Sequence, residues 1–224
     1  VSGDVELRRN LNPDNIIFDE TIDPRGWQIT EVTIPTDTYT ADQTLDSWYF
    51  AADFMYNEWL RLGGGLRQEK SDQSVVTFDI FNEDGEPVVS NLETDDTFYS
   101  FSGTLMFGDH QIRAGYGETI NRPDFKELSP AIYKDPLLDR LIKGNPDLVQ
   151  AYLENYDLRW DWFFDQGEFV SLGIFYKEFT DPIETVILAG AQRITSFDNA
   201  LLAENSGAEF ELYVDLDFIG RWWG

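Results

Sequence analysis

Apolar and polar residues alternate with a period of two over long stretches of the chain, the signature of β-strands with one apolar and one polar face. From Ser47 to Met55, Trp48, Phe50, Ala52 and Phe54 fall on one face while Tyr49, Ala51 and Asp53 fall on the other. After a short break at Asn57, Leu60, Leu62 and Leu66 alternate with Arg61, Gly63, Gly65, Arg67 and Glu69, which predicts a hairpin with a tight turn. A second hairpin follows: Tyr99, Phe101, Leu105 and Phe107 oppose Ser100, Ser102 and Thr104, Gly108-Asp109 makes the turn, and Ile112, Ala114 and Tyr116 oppose Gln111, Arg113 and Gly115. In a third, Tyr152, Tyr156, Leu158, Trp160 and Trp162 oppose Asn155, Asp157, Arg159 and Asp161. It turns at Asp165-Gln166-Gly167 and returns with Val170, Leu172, Ile174 and Tyr176 opposite Ser171, Gly173 and Lys177. A last strand sets Ala208, Phe210, Leu212, Val214 and Leu216 against Glu209, Glu211, Tyr213 and Asp215.

Between these hairpins the pattern fades into polar stretches that read as long loops. Ser71 to Asp96 holds eight acids (Asp72, Asp79, Glu83, Asp84, Glu86, Glu93, Asp95 and Asp96) without a Lys or Arg, and Asn10 to Asp46 is similarly acidic, with Arg25 its only cation. Short turns at one end and long loops at the other are the asymmetry of bacterial outer-membrane barrels. A soluble β-sandwich or barrel alternates too. Two features favour the membrane. The polar face carries charges in register, such as Asp157, Arg159 and Asp161, or Glu209, Glu211 and Asp215, which suits a wet lumen. The apolar face carries aromatics near strand ends, Trp48, Tyr99, Phe107, Trp160, Trp162 and Tyr176, which suits interfacial girdles. The fold expected is therefore all-β, an antiparallel up-and-down transmembrane β-barrel segment with short periplasmic turns and long extracellular loops.

Composition narrows the chemistry. A chain of 224 residues with 42% hydrophobic and 15% aromatic residues folds despite a net charge of −26. It contains no Cys and one His, His110, which removes disulfides, thiolate and His-rich metal sites and cysteine nucleophiles and disfavours a Ser-His-Asp triad. The negative charge opposes binding to nucleic acid. No apolar run is long enough for a membrane-spanning helix, a test that says nothing of β-barrels. No cofactor or metal is expected.

Several short motifs remain. Arg122-Pro123-Asp124-Phe125 directly follows a strand, and Pro, lacking an N–H, ends the ladder; the pair reads as a strand terminator packing the loop base. Gly144-Asn145-Pro146-Asp147 reads as a turn before the next strand. Glu154, Asp157 and Asp161 invite a glycosidase reading, but Asp157 and Asp161 are four positions apart on one strand face, about 13 Å, too far for paired carboxylates. The segment Asn82-Glu83-Asp84-Gly85-Glu86 lacks the ligand spacing of an EF-hand, leaving only loose calcium binding open. Gly63-Gly64-Gly65, with no Lys-Ser/Thr behind it, permits close backbone approach or curvature in a strand. His110 reads as an exposed turn residue, and Pro136 to Lys143 as a short helix with Leu137, Leu138, Leu141 and Ile142 on one side.

From Trp48 to Leu216 the order and spacing of several motifs resemble the barrel of TonB-dependent outer-membrane receptors. They are Gly64-Gly65-Leu66-Arg67-Gln68-Glu69, Arg113 to Tyr116, Thr119-Ile120-Asn121-Arg122-Pro123-Asp124-Phe125-Lys126-Glu127-Leu128-Ser129-Pro130 and Gly144-Asn145-Pro146-Asp147-Leu148. Asn155 to Trp160, Phe175-Tyr176-Lys177, Asp181-Pro182-Ile183-Glu184, Ser196 to Ala200 and Gly207 to Glu211 complete the set. The resemblance implies a receptor that imports a ferric chelate, cobalamin or saccharide. Its partners would be outer-membrane lipid and lipopolysaccharide, the remaining strands and plug of a barrel of about 22 strands, and TonB acting through that plug. Residues 1–224 are expected to be an internal part of that barrel, about seven or eight strands without plug, TonB box or signal peptide. On its own such a piece is expected not to close into a working pore. The expectation is no enzyme, with no substrate-binding residue named. The alternatives are a soluble extracellular β-domain binding carbohydrate through aromatics and a carboxylate-dependent glycan hydrolase.

Two structural expectations follow. Trp48, Phe50, Leu60, Leu62, Phe101, Leu105, Leu158, Trp160, Leu172, Ile174, Phe210 and Leu212 should share the face turned from the lumen, opposite Asp157, Arg159 and Glu211. The turns near Asn57, Asp109 and Gln166 should share one end, with the loops at the other.

Overall fold

The computed structural model of the protein describes residues 38–78, 86–135, 140–190 and 193–215. Seven long strands form one antiparallel sheet: β1 (Tyr39–Tyr56), β2 (Leu60–Thr77), β3 (Val88–Phe107), β4 (His110–Asn121), β7 (Ala151–Asp165), β8 (Glu168–Thr180) and β11 (Leu202–Tyr213). They pair in chain order, an up-and-down meander. Two insertions interrupt it. The one between β4 and β7 carries a one-turn helix α1 (Phe125–Leu128), β5 (Ile132–Asp135) and β6 (Arg140–Lys143); the one between β8 and β11 carries β9 (Ile183–Leu188) and β10 (Ile194–Asn199). These short strands join in a second sheet of order β5-β6-β10-β9, in which β6 and β10 run parallel.

The three hairpin turns fall at one end, as the meander requires. Asn57 has φ 46°, Gly108 57° and Gly167 83°, the left-handed conformation that tight hairpins impose and that Gly and Asn accept most readily. Adjacent turns are bonded to one another: the Met106 N–H donates to the Trp59 carbonyl at 2.7 Å, and the Phe163 N–H to the Asp109 carbonyl at 2.8 Å.

Register decides the faces, because directly paired residues point the same way. Tyr56, Leu60, Leu105, Ile112, Trp160, Leu172 and Phe210 form one unbroken row across all seven strands; Phe54, Leu62, Gly103, Ala114, Leu158, Ile174 and Ala208 form the next. All twelve residues expected on the apolar face lie on it. Asp157, Arg159 and Glu211 lie on the other, in rows with Arg61, Gly63, Ser102, Arg113 and Ser171. Phe50, Phe101, Ile174 and Phe210 are 58–67% exposed, and an apolar surface of this extent is an interface rather than a wetted wall. On β7 the apolar positions run from Tyr156 to Phe164, the span of about nine to eleven residues that a tilted strand needs to cross a bilayer.

Three expectations change. Ser71 to Asp96 is largely strand: β2 runs to Thr77, β3 begins at Val88, and the two stay paired residue for residue along that length. Likewise β1 starts at Tyr39, opposite Thr77, rather than near Ser47. The ladder persists where the alternation fades, because beyond the apolar belt neither face meets lipid and polar residues suit both. Asp72, Glu93, Asp95 and Asp96 are thus strand residues, not loop residues. The helix expected over Pro136 to Lys143 is replaced, within its described part, by strand β6, whose Ile142 is buried. An isolated two-turn helix carries the full nucleation cost, and the neighbouring β5 and β10 offer the same backbone a ladder instead. The last strand ends at Tyr213, two residues before Asp215. Asn82 to Gly85, the greater part of the acidic segment weighed for calcium, and Leu216 lie outside the described residues.

Candidate functional site

The polar face is where a solute could be held, and its shape comes from small side chains. One row reads Ala51, Gly65, Ser100, Gly117, and the next Asp53, Gly63, Ser102, Gly115. Two shallow concavities of about 570 Å³ each lie along these rows, one between Tyr49, Arg67, Phe98 and Ser100, the other between Asp53, Gly63, Ser102 and Asp157. The glycine run does what its sequence suggested: a Cβ on Gly63 would stand 2.6 Å from Ser102 Oγ, and one on Gly65 3.2 Å from the Phe50 carbonyl. The missing Cβ at Gly65 eases the approach of β1, and that at Gly63 leaves room for the Ser102 hydroxyl.

Toward the turn end the same face carries a charge network. Asp161, 1% exposed, accepts from Arg113 Nη2 at 2.6 Å, Arg159 Nε at 2.8 Å and Ser171 Oγ at 2.5 Å. Arg159 Nη2 also donates to Glu211 at 3.1 Å, and Arg61 forks onto Asp53. A carboxylate this fully occupied is unavailable as an acid or nucleophile. Glu154 lies on the opposite face from Asp157 and Asp161, so the three do not converge. Among the described residues no group of three His, Asp or Glu side chains could hold a metal ion.

At the other end the sequence motifs come together as a cap on the polar face. Arg122 Nη2 reaches Glu69 at 2.7 Å, Glu69 also pairs with Arg67, and Gln73 Nε2 donates to the Pro123 carbonyl at 2.8 Å. The Glu127 carboxylate accepts from the Asp124 N–H at 2.8 Å, closing the first turn of α1. The Gly144-Asn145 turn then docks on that helix, its N–H groups donating to the Ser129 carbonyl at 3.0 Å and the Glu127 carbonyl at 2.6 Å. Wall residue Ser90 donates to the Pro146 carbonyl at 2.9 Å. Val75, Leu128 and Leu148 make the dry centre of this joint, with Ala41, Phe125, Ile183 and Phe197 packed around them. The Arg122-Pro123 motif packs the base of the cap, as read from the sequence, and the Gly144-Pro146 turn expected there is also a packing element of it. Asn199 ties the second insertion in: its Oδ1 accepts from the Val149 N–H at 2.9 Å and its Nδ2 donates to the Asp181 carbonyl at 2.7 Å. In β5, burial first and then the carboxylates of Asp135, Glu127 and Asp124 push the Tyr133 phenol above its usual range, so it stays neutral.

The apolar face shows two features that the sequence reading passed over. Tyr116, Tyr156 and Tyr176 stand in one cross-strand row, with ring centroids 5.0 and 6.1 Å apart. Directly beyond it runs a row of glutamates: Glu118 accepts from the Tyr116 hydroxyl at 2.6 Å, Glu154 from Tyr156 at 2.7 Å, and Glu178 and Glu204 share the Tyr176 hydroxyl at 3.1 and 3.0 Å. The signal was in the sequence as a Tyr and a Glu two residues apart on three successive strands. His110 is not a free turn residue. Its ring stacks on Phe107, Trp160 and Trp162 at 5.4–5.9 Å, within the aromatic belt beside the turns.

Residues 5–224 match the family model described as TonB dependent receptor-like, beta-barrel. No curated protein matches the chain. Among solved structures, the Serratia marcescens hemophore receptor HasR, determined with its hemophore HasA and heme, is similar at 14% identity and a TM-score of 0.59, covering 77% of this chain and 32% of that one. The siderophore receptor PirA from Pseudomonas aeruginosa (14% identity, TM-score 0.48, 79% of this chain and 41% of that) and the ferric enterobactin receptor PfeA from the same organism (15%, 0.45, 79% and 34%) are also similar. The chain thus spans between about a third and two fifths of the length of these structures. The apolar face is accordingly the lipid-facing side of a transmembrane barrel wall and the glycine-lined, charged face its luminal side. With its family model matched over nearly its whole length and its strands arranged as in a solved receptor barrel, the chain belongs to the TonB-dependent receptor β-barrel family.

Proposed function

We propose that residues 1–224 form part of the barrel of an outer-membrane receptor that takes up a scarce nutrient, a ferric chelate, cobalamin or a saccharide, with energy delivered through TonB. One observation carries this reading: seven strands, aligned in continuous rows across the belt, separate a lipid-facing apolar face from a charged, glycine-lined luminal face capped at the loop end. On this reading the cap and the concavity between Tyr49, Arg67 and Phe98 are the outer approach to the lumen. The edges of β1 and β11 meet further strands of the whole receptor, and a plug supplies the TonB contact. The chain acts in binding and transport and not as an enzyme, and its lipid partner is the outer membrane with its lipopolysaccharide. The saturated state of Asp161 argues against a carboxylate hydrolase, and the exposed apolar belt against a soluble carbohydrate-binding domain.

The test is genetic and uses the full-length protein. Deleting the gene should abolish uptake of one of the three nutrient classes while leaving the others intact, and the protein should fractionate with the outer membrane. A protein recovered in the soluble fraction, or a deletion strain with every uptake intact, overturns the proposal.

A further inference from the structure

Among the described residues, six buried side-chain atoms make no hydrogen bond within the protein, and five of them belong to one place. Ser71 Oγ, Gln73 Oε1, Thr94 Oγ1, Arg122 Nε and Gln150 Oε1 lie where the cap meets the luminal face of β2 and β3. Ser71 and Thr94 are direct cross-strand partners, with Glu69 opposite Asp96 on the same face one step nearer the turns. Arg122 enters on Glu69, Gln150 on Asp96 at 2.7 Å, and Gln73 stands one step beyond Ser71 on β2. Here the wall is also weakest in backbone bonds. The β3–β4 ladder stops at Ser100 and Gly117, and past that level β3 and β7 are joined by side chains, Asp96 accepting from Gln150 and from the Tyr152 hydroxyl.

The sense of each unpaired atom identifies what belongs between them. Gln73 Nε2 is spent on the Pro123 carbonyl, and Gln150 Nε2 on Asp96 and Tyr152, so the two amide orientations are fixed and both Oε1 atoms are acceptors. Arg122 Nε is a donor only, and the hydroxyls of Ser71 and Thr94 are either. A cation would suit the two amide oxygens and be repelled by the guanidinium; an anion would suit the guanidinium and be repelled by the amide oxygens and by Glu69 and Asp96. A species that donates and accepts satisfies all five. Buried water does so, typically with two to four polar partners each. We propose that the seam between cap and wall holds a built-in cluster of ordered waters bridging Gln73, Gln150 and Arg122 across Ser71 and Thr94. The cap is then joined to the wall in two ways, dry at Val75, Leu128 and Leu148 and wet at this seam.

Two measurements on the full-length receptor test the cluster. A high-resolution crystal structure should show water density within hydrogen-bonding distance of both amide oxygens and of Arg122 Nε, with no anomalous peak there after rubidium or bromide soaks. An ion peak, or the five atoms paired directly with each other, overturns the proposal. Thr94→Val separates a hydrated hydroxyl from an orphaned one independently of crystals. Replacing a truly unpaired buried hydroxyl with a methyl of the same shape is neutral or stabilising, whereas removing one that holds a water leaves that water short of a partner. The melting temperature should fall by a few degrees; a melting temperature that holds or rises overturns the cluster.

Discussion

The wall and the cap are built from the same chain by different rules. In the wall, seven strands bury little against one another's side chains; the continuous apolar rows face outward, and the interior face mixes glycine, serine and paired charge with scattered aromatics such as Tyr49, Phe98 and Phe175. In the cap, the dry centre is three residues, Val75, Leu128 and Leu148, and most of the structure is backbone carbonyls caught by side chains from the wall or by the N–H groups of a turn. The wall takes its stability chiefly from lipid and register, with tight packing confined to places such as Gly207, where a Cβ would stand 2.6 Å from the Phe175 ring. The cap depends on a few close contacts with no lipid to support them.

The largest effect expected from this contrast is on the wall's lipid face. Ile174→Arg, in the row of Leu158, Ala114 and Ala208 midway across the apolar belt, should destabilise the receptor by about 2–4 kcal/mol, while Asp157→Asn on the luminal face of the same sheet should stay within about 0.5 kcal/mol. Urea titration of the full-length receptor in vesicles measures both. Equal effects at the two positions would contradict the assignment of faces.

In the cap the corresponding position is a glycine. A Cβ on Gly144 would stand 2.2 Å from the Ser129 carbonyl oxygen and 2.6 Å from those of Glu127 and Lys126, all backbone atoms that cannot rotate away. Gly144→Ala should cost about 1–3 kcal/mol and release the cap, seen as new protease cleavage in 122–150 with the wall intact. A melt and digestion pattern like those of the unmutated protein would show that the turn has room to move. Smaller again is Asp161→Asn. It removes the charge that holds Arg113 and Arg159, but both arginines keep access to the lumen, their side chains 46% and 38% exposed. A loss of about 1–2 kcal/mol is expected, below the cost of stranding a fully buried partner.

How legible each region was in the sequence follows from the same contrast. Lipid on one side and water on the other force a strict alternation, so Leu158, Trp160 and Ile174 announced both strand and face, and a one-residue slip would have put Arg159 into lipid. Outside the belt the constraint ends: Ser71, Gln73 and Thr94 are as much strand as Leu62, yet they read as loop because both of their surroundings are polar. The cap is harder still. Strand β6 meets β10 from the other insertion, across more than fifty residues of chain, and no local periodicity records such a meeting. What could be read there were the strand terminator at Pro123 and the turn at Pro146, because proline constrains its neighbourhood wherever the chain goes. The rows of Tyr and Glu lay between these cases, visible as a two-residue spacing on each strand but meaningful only once register aligned three strands.

The smallest expected effect lies where the wall passes from lipid to water. Glu118, Glu154, Glu178 and Glu204 stand directly opposite one another on adjacent strands, and like charges in that position oppose pairing. Three tyrosine hydroxyls one row nearer the lipid reach these four carboxylates, Tyr176 being shared by Glu178 and Glu204, so the tyrosines anchor at the interface and the carboxylates are held at a fixed height above it. Tyr156→Phe keeps the ring between Tyr116 and Tyr176 and removes only its hydrogen bond to Glu154, 2.7 Å long. The bond is exposed and one of several in the row, so the loss should be small, well below that of Ile174→Arg. Adding Glu154→Gln should return part of it, because the second change removes a charge that the first had freed to approach its neighbours. A double-mutant cycle on the full-length receptor measures this coupling. Strictly additive effects would mean that the tyrosines and glutamates share a register without sharing energy.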